Sequence, residues 1–145
     1  MPIYKQTYIP SVKIITWNNL IKYVRQYYTA NIQGKTIVNK HIGLTIYFGS
    51  DGKNELSWGR KLYPSKAALV QCLPELLEEA EYTHFGLRKI TDEQTVFGYA
   101  NFKAKAYING ELKHIHIAVR VKANGKAYYC HEVNIKKISN SKDLK

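Results

Sequence analysis

Two Asn-Gly dipeptides, Asn109-Gly110 and Asn124-Gly125, separate three segments of alternating polar and apolar residues in the last third of the chain. A type I′ turn needs positive φ at both central positions, which Asn and Gly accept, so the pattern predicts an antiparallel meander of residues 96–108, 112–121 and 126–135. Two-residue turns also set register, and register decides which side chains share a face. Ile108 then pairs with Glu111, Lys105 with His114, Lys103 with His116 and Tyr99 with Arg120. In the second hairpin Ala123 pairs with Lys126, which puts Arg120 opposite Tyr129 and Ala118 opposite His131. One face carries Tyr99, Asn101, Lys103, Lys105, His114, His116, Arg120, Lys122, Tyr129 and His131. The other carries Val96, Ala100, Phe102, Ala104, Ala106, Ile115, Ile117, Val119, Val121, Tyr128 and Cys130, a core face whose alanines leave room for a helix. Glu132 falls on that second face too and fits only at its rim.

Upstream the period changes. After a short apolar stretch at residues 12–15, readable as an edge strand, Thr16 is placed as an N-cap. Trp17, Leu20, Ile21, Val24 and Tyr28 then follow at helical spacing, and that helix ends between Ala30 and Gly34. Residues 36–38 and 42–48 read as strands, and residues 48–54 as a polar loop rich in turn formers. Residues 65–82 are helical, with Leu69, Cys72, Leu73, Leu76, Leu77 and Ala80 in one stripe and Pro64-Ser65 at the start. Pro74 lacks an N–H and crowds the preceding turn, so it predicts a kink or break, or the first turn of a second helix. The expected architecture is α+β: N-terminal helices packed on one face of an antiparallel sheet that ends in a three-stranded meander. Residues 1–35 form a helical extension of the same domain, 36–135 its core and 136–145 a polar tail.

Charge narrows the partners. The 145 residues include 22 Lys and Arg against 11 acids, a net charge of +11. Such a surplus attracts polyanions, either nucleic acid or an anionic membrane surface, and the alternative is charge kept for solubility. No segment has the length of a membrane span, and the first residues lack the apolar run of a signal peptide, so the expected setting is the cytoplasm, reached by synthesis there or by delivery into a target cell. Cys72 and Cys130 form no CxxC pair and are expected as buried free thiols rather than a disulfide.

The predicted polar face joins three imidazoles, four cations and two phenols with no carboxylate among them. An ordinary solvated face mixes both signs. The functional reading is a phosphate-binding platform with aromatic stacking and groups for general acid–base chemistry; the alternative is a plain solvated face of a basic protein. His114-x-His116 has the spacing of a metal pair on a strand, but no third ligand joins it there, so no metal or cofactor is expected. His41 and His84 fall in loops or at element edges. The basic, aromatic loop Trp58-Gly59-Arg60-Lys61 is either a backbone grip through Arg60 and Lys61 or a buried Trp anchor beside solvated cations. No Gly-rich phosphate loop, nucleophile elbow, HExxH or paired-carboxylate motif occurs, which argues against nucleotide-dependent enzymes, serine hydrolases, zinc proteases and glycosidases.

Several strings resemble a known family. Asn39-Lys40 with Gly43 ahead of Ile46, Lys66-Ala67-Ala68-Leu69, Leu73-Pro74-Glu75-Leu76-Leu77 with Ala80 and Tyr82, residues 96–101, Ala106-Tyr107-Ile108-Asn109-Gly110, and Tyr128-Tyr129-Cys130-His131-Glu132-Val133 are similar to the phage-associated barnase/EndoU/colicin/RelE-like nuclease domains of phage proteins and polymorphic toxins. The likeness spans residues 36–135. It implies helices on a four-stranded antiparallel sheet with a metal-independent RNase site on the exposed sheet face. Cys130 stands where the family string has an acid. The resulting expectation is a toxin-type endoribonuclease that uses 2′-hydroxyl attack. His116 and His131 act as base and acid in either order, Arg120 and Lys103 hold the phosphate, and Tyr129 or Tyr99 stacks or donates a proton. Lys105, His114, Lys122, Arg60 and Lys61 grip RNA. An acidic antitoxin or immunity protein is the further partner expected. The alternative is a non-catalytic nucleic-acid-binding or phage assembly module on the same fold.

Overall fold

A computed structural model describes residues 5–7, 17–57, 64–87, 96–108, 110–129 and 133–137. In chain order these form β1 (Lys5–Thr7), α1 (Trp17–Asn31), β2 (Thr36–Val38), β3 (Thr45–Phe48), α2 (Ser50–Leu56), α3 (Pro64–Leu69), a 3₁₀ turn (Val70–Cys72), α4 (Leu73–Glu79), β4 (Glu81–Leu87), β5 (Val96–Ile108), β6 (Glu111–Lys122), β7 (Ala127–Tyr129) and β8 (Val133–Lys137). The strands make one sheet in the order β1-β5-β6-β7-β3-β2, with β4 also on β5 and β8 also on β6. The expected α+β class holds. The residue 12–15 strand, the Thr16 cap, the Trp58–Lys61 loop, Cys130, His131 and Glu132 lie outside the described residues.

Leu20, Val24 and Tyr28 of α1 are buried, as their spacing predicts, and Ile32 just beyond the helix extends the same stripe. Proline acts as expected in the second helical segment. The chain runs from α3 through the 3₁₀ turn into α4, where Pro74 sits in the first turn and needs no N–H. The helical stripe of Leu69, Cys72, Leu73, Leu76, Leu77 and Ala80 is buried against Ala100, Phe102 and Ala106 of β5, and Cys72 is in no disulfide. The small β5 residues let the helices approach the sheet closely.

Residues 48–54 do not form the expected loop, because α2 starts at Ser50. Its turn-forming composition has low intrinsic helicity, and seven residues are too few for a stable isolated helix. Tertiary contacts supply what propensity lacks. Arg25 Nη1 donates to Asn54 Oδ1 (3.0 Å) and Ser57 Oγ (3.1 Å), and Lys53 Nζ donates to Thr29 Oγ1 (3.2 Å). Gly52 is the close-approach point: a Cβ there would fall on the Tyr129 carbonyl oxygen and within 2.6 Å of the Tyr28 hydroxyl. Gly52→Ala is therefore expected to destabilise the fold by about 2 kcal/mol, the range of core overpacking, measurable as a lower denaturant midpoint. An unchanged midpoint would mean that α2 shifts freely.

Residues 42–44 are likewise not strand; β3 starts at Thr45, and residues 39–43 form a turn that closes the β2–β3 hairpin. Asn39, fully buried, organises it. Its Nδ2 donates to the Leu77 (2.7 Å) and Ala80 (2.8 Å) carbonyls, and its Oδ1 accepts the His41 (3.0 Å) and Ile42 (3.1 Å) amides. The Lys40 amide takes the Glu78 carbonyl at 2.9 Å. The hairpin turn thus caps the C-terminal carbonyls of α4, which have no partner within the helix.

The first Asn-Gly hairpin has the expected register: Ile108↔Glu111, Lys105↔His114, Lys103↔His116 and Tyr99↔Arg120. The second does not. Lys122 N–H bonds the Lys126 carbonyl (2.9 Å), so the loop has three residues, Ala123, Asn124 and Gly125, with Gly125 at φ 86. A three-residue loop with glycine in the left-handed third position is the next most common hairpin. Asn124 Oδ1 supports it by accepting the Lys126 amide at 2.9 Å. The register becomes Arg120↔Tyr128 and Val121↔Ala127, a slip of one residue that exchanges the faces of β7. Tyr129, expected on the polar face, is 1% exposed in the core, and Tyr128, expected in the core, points outward. The expected third strand of the meander is also divided: β7 and β8 both pair with β6, the latter through Ile117↔Val133 to Lys113↔Lys137.

Candidate nucleic-acid interface

The sheet face away from the helices carries the remaining site residues. Cross-strand pairing makes a two-by-two group in which Lys103 and Lys105 of β5 lie opposite His116 and His114 of β6. Lys103 is exposed, while Lys105, His114 and His116 are half-buried. Alternate residues of one strand stand about 7 Å apart. The two imidazoles are therefore spaced to flank a group the size of a phosphate.

His116 has a defined orientation. Its Nε2 lies 2.9 Å from Asn101 Oδ1. Asn101, 9% exposed, directs its Nδ2 at two carbonyl oxygens, those of His84 and Tyr99, each at 3.3 Å. The amide oxygen must therefore be the atom that faces the ring, and it can only accept. Nε2 carries the hydrogen, and Nδ1 is the basic nitrogen of the neutral ring.

A cleft of about 250 Å³ opens beside this group, lined by Leu76, Glu79, Glu81, Lys103, Ala104, Lys105 and His114. It lies where the β5 edge changes partner, since β4 pairs with β5 as far as Lys103 and β1 takes over at Ala106. An acid therefore does reach this face, contrary to the sequence expectation, because β4 brings Glu81, while Glu79 comes to the cleft from α4. Residues 81–87 were not read as a strand. Glu81 pairs with Lys103 in register, their charged atoms 3.5 Å apart and both side chains mostly exposed. Such a pair is weak and easily exchanged for another anion. Glu79 is held by Lys40 Nζ at 2.6 Å, a hydrogen bond that raises the Lys40 ammonium above the ordinary lysine value.

Further along β6 the face is cationic and aromatic. Arg120 lies between Tyr99 and Tyr128, not Tyr129. Tyr99 is 6% exposed and contributes little open ring surface. Lys122 Nζ stands 5.5 Å from the Tyr128 ring centroid, and Lys126 Nζ stands 5.9 Å from that of Tyr47. Tyr47 was not singled out in the sequence, although alternation against buried Ile46 and Phe48 marks it as outward-facing. Arg60, Lys61 and His131 fall outside the described residues. His41 and His84 have local partners instead: His41 Nδ1 accepts the Tyr82 amide (2.9 Å), and His84 Nδ1 lies 3.0 Å from Thr83 Oγ1.

Among the described residues no three His, Cys, Asp or Glu side chains converge as a metal site, and no helix is long and apolar enough to cross a membrane. No curated protein and no solved structure matches the chain. A family profile, large polyvalent protein-associated domain 3, matches residues 16–129, which include every element from α1 to β7 and leave out β1 and β8. The match covers most of the molecule, and the chain belongs to this family of phage-associated domains.

Proposed function

We propose that the outward sheet face binds RNA through its phosphates and cleaves it without a metal, with His116 as base and His114 as acid. The observation that carries this reading is the pairing of two imidazoles with two ammonium groups in one register, one ring being oriented by a buried amide. His116 Nδ1 takes the proton of a ribose 2′-hydroxyl, whose oxygen attacks the adjacent phosphorus. The bond from phosphorus to the 5′-oxygen breaks, and His114 protonates that oxygen. The products are a 2′,3′-cyclic phosphate and a 5′-hydroxyl. Lys103 and Lys105 stabilise the charge that builds on the phosphorane oxygens. Arg120, Lys122 and Lys126 hold neighbouring phosphates. The resemblance to phage-associated nucleases supports the reading, and an acidic antitoxin or immunity protein is the partner whose charge would cover this face.

The test is cleavage of a mixed-sequence RNA in excess chelator by wild type, His114→Ala and His116→Ala, with product ends identified. Activity unchanged in both variants rejects the assignment. A second reading, binding without cleavage, is favoured by the cations Arg120, Lys122 and Lys126, which grip a polyanion without either imidazole. It predicts binding with no products at any pH.

Both readings predict strong salt dependence, because bound cations leave the nucleic acid when lysines and arginine replace them. With about four phosphate contacts on a single strand, affinity should fall roughly fifty-fold between about 50 and 200 mM salt. A flat response in a fluorescence-anisotropy titration would remove nucleic acid as the ligand.

A further inference from the structure

The one-residue slip of β7 creates an outward group absent from the expected site. Tyr128 pairs in register with Tyr47 of the parallel neighbour β3, and their rings lie 5.5 Å apart at 33°. Both rings are half-buried, and each has a lysine ammonium over it: Lys122 at Tyr128 and Lys126 at Tyr47. Arg120 is the cross-strand partner of Tyr128. Neither β3 nor β7 contains an acid.

Two aromatic rings on an open sheet face, with three cations around them, meet both requirements of a nucleobase subsite. The rings offer π surface to a flat base, and the cations hold the phosphates on either side. A lysine ammonium over a half-buried ring at the surface is weakly held, so a base can displace it while the long side chain swings to a phosphate. Bases of a duplex are already stacked and paired, so only an unpaired base can enter. Arg120 lies four residues along β6 from His116, about 13 Å away, and Tyr128 is one strand further across. The group thus lies along the path of a strand whose scissile phosphate sits at His116.

We infer that Tyr47 and Tyr128, flanked by Arg120, Lys122 and Lys126, form a stacking subsite for an unpaired base, so that the sheet face takes single-stranded rather than duplex RNA. The inference rests on the RNA reading of that face. The test uses 2′-O-methyl RNA, which lacks the attacking hydroxyl and cannot be cleaved by this route, as a labelled single strand, as the same strand with abasic positions, and as a duplex. Anisotropy should show the intact single strand binding about tenfold or more tighter than the abasic strand and the duplex. Tyr47→Leu and Tyr128→Leu should each remove about tenfold of that preference, leave the abasic strand's affinity unchanged, and be rescued in Tyr128→Phe, which keeps the ring. Equal affinity of intact and abasic strands, or leucine variants that weaken both alike, overturns the subsite while leaving phosphate binding in place. If a leucine variant melts early, the wild-type comparison of intact with abasic strand decides alone. Absence of salt-dependent binding by every strand overturns the RNA reading and the subsite together.

Discussion

Replacing His116 with alanine is expected to lower RNA cleavage by about a hundredfold or more, the usual worth of a general base. The expectation follows from an orientation that the fold determines. Asn101 cannot turn its amide without losing two backbone carbonyls, so its oxygen holds the Nε2 hydrogen, and in the proposed reaction Nδ1 takes the 2′-hydroxyl proton. His114→Ala should cost a similar factor through loss of the acid. Because one ring must be neutral and the other protonated, the rate should be bell-shaped in pH, and each variant should lose one limb. Asn101→Ala tests positioning separately. It should lower kcat by about tenfold with KM nearly unchanged, since it removes orientation rather than a phosphate contact. A KM effect alone would assign Asn101 to binding.

The largest expected effect on stability is that of Asn39→Ala, about 3 kcal/mol. The substitution strands two buried carbonyls at the end of α4 and two amides in the β2–β3 turn, and each unsatisfied buried group costs about 1–3 kcal/mol. Asn39→Asp should be nearly as harmful, because a carboxylate cannot donate to the Leu77 and Ala80 carbonyls. Urea unfolding followed by circular dichroism measures both. A loss below about 1 kcal/mol would mean that water replaces the asparagine. Lys40→Ala is the contrast: its exposed bond to Glu79 should matter little.

The parts of the fold that were legible in the sequence are those where local chemistry and tertiary packing agree. The α1 stripe, the break at Pro74 and the first hairpin register each follow from spacing or backbone geometry alone. The second hairpin misled because Asn-Gly serves two loops: as both central residues of a two-residue turn, or as the last two of three. The side chain of Asn124, which bonds the Lys126 amide, favours the longer one. That single residue moves Tyr129 into the core and brings Tyr128 beside Tyr47. Helix α2 was hidden because Gly52 is chosen for its approach to Tyr129, not for helicity. Strand β4 was hidden because its residues are mostly exposed and show no alternation of burial, and with it the approach of Glu81 to Lys103 went unseen. Asn39 shows no periodicity either; only its four hydrogen bonds reveal its weight.

The central claim is tested most directly by the ends that wild-type protein leaves on RNA in excess chelator. Attack by the neighbouring 2′-hydroxyl at His116 predicts a 2′,3′-cyclic phosphate on one fragment and a 5′-hydroxyl on the other, with the chelator without effect. Fragments ending in a 3′-hydroxyl and 5′-phosphate, cleavage that stops when metal is removed, or RNA left intact would contradict it.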